Sequence, residues 1–128
     1  MSQKALKKEF HLDIDDLVDE LLSALRNNNW QLNKMQYELA SLHAQQKQKL
    51  KHGEKNVDVR FDLIAKWKDC GDGVELEILV EEPEHDWTGK DCAAHCTAIM
   101  EAMPDEKSYD TLYAQQPDFI YEDFESNN

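Results

Sequence analysis

Cysteine is scarce in this chain: three residues in 128, an odd number, with no Cys-x-x-Cys pair. That excludes the disulfide framework that staples small secreted domains, and sparse thiols fit a reducing compartment, so a cytoplasmic location is expected. A chain of this length buries roughly two thirds of its unfolded surface and needs neither staple nor structural metal. Long apolar runs are also missing. No stretch approaches the ~20 residues that span a bilayer, so no membrane partner is expected. Lys4, Lys7 and Lys8 make a basic start, but Glu9 and His11 stand where an export signal would place its apolar run. Glycine (four) and proline (three) are few. With no Gly/Ser/Pro-rich linker, low-complexity tract or internal repeat, the expectation is a single domain over residues 1–116, followed by an acidic and aromatic tail over 117–128.

Cations are the most telling shortage. The net charge is −13, from 14 Lys/Arg and 27 Asp/Glu, and it is unevenly spread. Residues 1–67 hold 11 Lys/Arg against 10 Asp/Glu, whereas residues 68–128 hold 3 against 17. A field of that sign repels nucleic-acid phosphates and attracts basic surfaces, although acidity also serves solubility alone.

Periodicity predicts the elements. Ile14, Leu17, Val18, Leu21, Leu22 and Leu25 recur at helical spacing. Asp13 stands as an N-cap, and Asp15, Asp16 and Asp19 load the early turns with the sign the helix dipole favours. Leu32, Met35, Leu39 and Leu42, spaced 3-4-3, predict a second helix over residues 31–51, with Gly53 as terminator. The alternation of Val57, Val59, Phe61, Leu63, Ala65 and Trp67, then of Val74, Leu76, Ile78 and Val80, predicts a β-hairpin. Setting Trp67 opposite Val74 places Lys66 against Glu75 and Arg60 against Glu81, and Gly71 supplies a positive φ in the turn. A last helix starts at Thr88 or Gly89 and ends before Pro104. Phe119, Ile120 and Tyr121 offer a third strand. The fold class expected is α+β in the order α-α-β-β-α, helices packed on one face of a small antiparallel sheet.

Chemistry-bearing groups are few. Cys92 and Cys96 share one helix face, and with Cys70 and His85 they supply the residue types of a zinc or thiol site; the alternative is that both helical cysteines are small core residues. Residues 69–75 lack EF-hand ligand spacing, and Gly71-x-Gly73 is too short for a phosphate loop. No cofactor is expected, and the chain reads as a binder, not an enzyme. Glu75, Glu77, Glu81, Glu82, Glu84 and Asp86 are the expected contact residues for a basic protein surface, with Phe119, Tyr121 and Phe124 of the tail as apolar contacts. The expectation is therefore a small acidic regulator: an adaptor, inhibitor or immunity-type protein. The alternative is an inhibitor that imitates nucleic acid, because carboxylates at alternate strand positions, about 6.6 Å apart, approach phosphate spacing.

Overall fold

The computed structural model describes residues 1–106. The order of elements is β1 (Ser2–Phe10), α1 (Ile14–Asn27), β2 (Gln31–Gln36), a single 3-10 turn (Tyr37–Leu39), β3 (Ser41–His52), β4 (Lys55–Asp69), β5 (Val74–Glu82) and α2 (Gly89–Glu101). The class is α+β, but the order is β-α-β-β-β-β-α in place of α-α-β-β-α. The five strands form one antiparallel sheet in the order β1-β5-β4-β3-β2. The third strand expected at Phe119–Tyr121 and the domain boundary at residue 116 lie outside the described residues. Among the described residues no helix is long and apolar enough to cross a membrane.

Both helices form where local signals place them. The Asp13 carboxylate accepts from the Asp16 N–H at 2.8 Å, a true N-cap on α1. Leu17, Val18, Leu21 and Leu25 turn one stripe of α1 into the core. On α2 the inward stripe is Cys92, Cys96, Ile99 and Met100. This helix lies across β1 and β5, with α1 packed beside it. Between the layers sit Phe10, Leu42, Phe61, Leu63, Leu76, Ile78 and Val80, all fully buried.

The predicted helix over residues 31–51 is instead two strands. Three features hid them. The inward positions of β3 include Gln46, which is buried and donates from its amide to the Asn28 carbonyl at 2.6 Å, so polar residues occupy a core-facing row. The corner between strands is made by Ala40 at φ +51, with no glycine to announce it. A bulge between Leu32 and Lys34 also breaks the alternation of β2. Pairing of Leu42 with Ala65 and Ala44 with Leu63 overrides the helical propensity of the Gln/Lys run. β1 escaped notice for a related reason. It is an edge strand whose helix-facing row interleaves Lys4 and Lys8 with Leu6 and Phe10, the charged pattern that guards a free edge.

The β4–β5 hairpin keeps the expected faces but shifts by two residues. Trp67 pairs with Leu76, Leu63 with Val80, Lys66 with Glu77 and Lys68 with Glu75. A turn placed one residue later in the chain sets this register: the Cys70 N–H donates to the Gly73 carbonyl at 2.8 Å, and the Asp69 carboxylate accepts from the Gly71 N–H at 2.8 Å. Gly71 has φ +93, as the turn requires. Gly73 is needed for closeness, since a Cβ there would lie 2.4 Å from the Phe10 carbonyl oxygen and drive β1 off β5.

Beyond Glu82 the β3–β4 hairpin continues without β5 as a projecting arm, turning at Gly53 (φ +66). Its tip is tied back by His52, which stacks on Trp87 with ring centroids 4.1 Å apart.

Candidate functional site

The residues expected to meet a partner occupy three different environments. Glu82 is the clear correction: it is 1% exposed and belongs to the interior. One carboxylate oxygen accepts from the Thr88 hydroxyl at 2.9 Å and lies 2.9 Å from His85 Nδ1, and the other accepts from the Glu84 N–H at 2.9 Å. Ser2 completes the knot by donating to the His85 carbonyl at 3.0 Å and accepting from the Thr88 N–H at 3.3 Å. Burial by itself raises the Glu82 pKa, yet the Glu84 N–H, the Thr88 hydroxyl and His85 outweigh it and hold the carboxyl below its ordinary value. Glu82 therefore locks the first strand, the β5–α2 loop and the start of α2 together. The sequence hid this because Glu82 sits in a run of acids that looks uniformly solvated.

Glu75, Glu77 and Glu81 lie half-buried on the sheet face turned away from the helices. Lys68 stands opposite Glu75, while Lys66 and Lys7 flank Glu77 on its two neighbouring strands. Lysines thus meet the row at Glu75 and Glu77, whereas Glu81 faces Asp62 and not the Arg60 expected from the sequence. Glu84 and Asp86 are exposed on the β5–α2 loop. Phe119, Tyr121 and Phe124 lie outside the described residues.

The cysteine and histidine set does not converge. Cys70 is exposed in the β4–β5 turn, whereas His85 follows the opposite end of β5, about 26 Å away along the strand. Cys92 and Cys96 are buried against the sheet, the Cys96 thiol lying 3.5 Å from the Lys4 carbonyl. Burial first, then the nearby Cys96, Glu82 and Asp91, pushes the Cys92 thiol up to about 11. A thiol in that range is protonated and weakly nucleophilic at neutral pH. Among the described residues no group of three or more His, Cys, Asp or Glu side chains is placed to hold a metal ion. Iodoacetamide at neutral pH is accordingly expected to modify Cys70 quickly and the other two only on unfolding, as peptide mass spectrometry would show. Equal labelling of all three in the native protein would contradict this burial.

A different group of carboxylates does converge. The turn before α1 and the β4–β5 turn meet at one end of the sheet, and Asp13, Asp15, Asp69 and Asp72 line a common open groove of about 530 Å³ with His11 and Tyr37. All four carboxylates are exposed, and none enters the ion pairs formed among the described residues. The Tyr37 hydroxyl donates to the Asp15 carboxylate, and that hydrogen bond, with the surrounding negative charge, raises the tyrosine pKa. Tyr37, which lines the groove, is 46% exposed and offers it an aromatic surface. Sequence reading placed these residues in two unrelated roles, helix start and hairpin turn. Only tertiary contact joins them.

No family model matches the chain, and no curated protein matches it. Among solved structures, the solution structure of the 18 kDa protein CC1736 from Caulobacter crescentus is similar at 10% sequence identity, covering 79% of this chain and 86% of that one, with a TM-score of 0.38.

Proposed function

We propose that this chain is a binding module, not an enzyme, and that it meets a basic protein surface at the groove of Asp13, Asp15, Asp69 and Asp72. The observation that carries the reading is the convergence of four exposed carboxylates, free of ion pairs among the described residues, on one groove. Lysine or arginine side chains of a partner would supply the missing countercharge. Exposed Tyr37 would add aromatic contact at the groove wall. The Glu75, Glu77 and Glu81 strip contributes less in this reading, because lysines of the same sheet already oppose Glu75 and Glu77.

The test is affinity capture at low salt with the full chain, compared with a variant carrying Asp13→Asn, Asp15→Asn, Asp69→Asn and Asp72→Asn. Asparagine retains the capping ability at position 13. The wild type should retain a basic partner whose association slows by about tenfold or more in the variant, and steeply with added salt. Capture of the same partner by the variant at an unchanged rate would refute the groove. A Glu75→Gln, Glu77→Gln, Glu81→Gln variant serves as the control and should bind like the wild type.

A further inference from the structure

Charge is segregated along the length of β4. Residues 47–60, the arm of the β3–β4 hairpin, hold five Lys/Arg and two Asp/Glu, whereas the rest of the chain holds nine and 25. The arm thus carries +3 on a chain whose other residues sum to −16. Strand alternation puts Lys47, Lys49, Lys51 and Arg60 on the arm face turned away from the helices, and Lys55 stands at the tip opposite His52. All five are exposed. Two of them have partners: Lys49 lies 3.6 Å from Asp58, and Arg60 lies 3.2 Å from Asp62. Lys47, Lys51 and Lys55 enter none of the ion pairs formed among the described residues. The groove of Asp13, Asp15, Asp69 and Asp72 is the converse, with four unpaired carboxylates and no lysine or arginine among the described residues that line it. Arm tip and groove stand at opposite ends of β4, which runs from Lys55 to Asp69, about 46 Å.

We infer that the basic partner of the groove is the arm of a second copy of this chain, with Lys51 and Lys55 of its tip entering among the aspartates and Lys47 following behind. The inference rests on the groove reading above and gives that partner an identity. The charge match is local: three lysines without countercharge face four aspartates without countercharge. Tyr37 adds to it. Its exposed ring, fixed through the hydroxyl by the Asp15 carboxylate, is a surface over which a lysine ammonium lies favourably. The arm does not reach its own groove, since the length of β4 separates them, so the contact joins two copies. Their anionic bodies repel, but at about 0.1 M salt the Debye length of about 10 Å screens the bodies while touching side chains still attract. Arm and groove are different surfaces, so the contact is heterologous, and copies add in a row or close into a ring.

The experiment is sedimentation equilibrium of the full chain at about 0.1 M salt. The average mass should rise past that of a dimer as protein approaches about 0.5 mM, a range that reads contacts of millimolar strength or better. It should return to the monomer at about 1 M salt, where the Debye length is about 3 Å. An arm variant (Lys47→Gln, Lys51→Gln, Lys55→Gln) and a groove variant (Asp13→Asn, Asp15→Asn, Asp69→Asn, Asp72→Asn) should each self-associate at least about tenfold more weakly. Circular dichroism of each variant shows that its fold is intact. Mixed in equal amounts, the two should form a one-to-one pair and nothing larger, because each pair holds one sound arm and one sound groove. A wild type that stays monomeric would overturn the inference. So would a mixture that fails to pair, or an arm variant that associates like the wild type. Failure of the groove itself reads differently: the groove variant would then associate, and capture a basic partner, as well as the wild type does.

Discussion

Replacing Glu82 by alanine is expected to destabilise the fold by about 3–5 kcal/mol, the loss seen when one partner of a buried charged network is removed. On a chain of this size that lowers the melting temperature by roughly 10 °C or more. The Thr88 hydroxyl and the Glu84 N–H lose their acceptor, and His85 loses the carboxylate 2.9 Å from its Nδ1. Each such hydrogen bond to a charged group is worth about 1.5–3 kcal/mol, so their non-additive sum accounts for the figure. Glu82→Gln keeps the shape and one acceptor oxygen and should lose about half as much. Since the folded pKa of Glu82 is lowered, its contribution is present above the ordinary carboxylate value of 4.5 and is lost as pH falls through the folded value. The gap between wild type and Glu82→Ala should therefore shrink in acid. His95 acts in the same direction but earlier. Burial lowers its pKa from 6.5, so the folded state resists protonation and stability declines once pH drops below that point. Denaturant titrations of both proteins across pH 3–8 read these terms directly. A Glu82→Ala chain within about 1 kcal/mol of wild type at neutral pH would show that the knot is incidental.

The second large effect lies at the centre of the sheet. Phe61→Ala should cost about 3–5 kcal/mol, the range for deleting a buried aromatic ring. Phe61 is fully buried on β4 and meets the His95 ring edge-on, with centroids 4.7 Å apart. Trp30 also meets that imidazole edge-on, with centroids 5.2 Å apart. Removing the phenyl ring thus opens a cavity where β4, α2 and the residue before β2 meet. The neighbouring position Ile64 points to the opposite face and is half-exposed, so Ile64→Ala should cost less than about 1 kcal/mol. Equal losses at 61 and 64 would mean that the two faces of the sheet are not distinguished as described.

These two positions also mark the limits of what was legible beforehand. The alternation of Phe61, Leu63, Ala65 and Trp67 announces an inward face, and Ile64 announces the outward one, without reference to any distant residue. Glu82 has no such signature, because its burial depends on Thr88, His85 and Ser2, the last of them 80 residues away in the chain. In the same way Asp13 reads correctly as a cap and Asp69 as a turn residue, yet nothing local says that the two face a common groove.

By itself the sequence determined α1, α2, the faces of β4 and β5, the Gly71 turn and the uneven charge, since caps, periodicity and composition act over a few neighbouring residues. Tertiary structure alone decided that residues 31–51 form strands, that β1 closes one edge, that Glu82 is interior and that Cys70 is kept apart from Cys92 and Cys96. Each of those outcomes depends on groups brought together from far along the chain, where strand pairing and burial outweigh local preference.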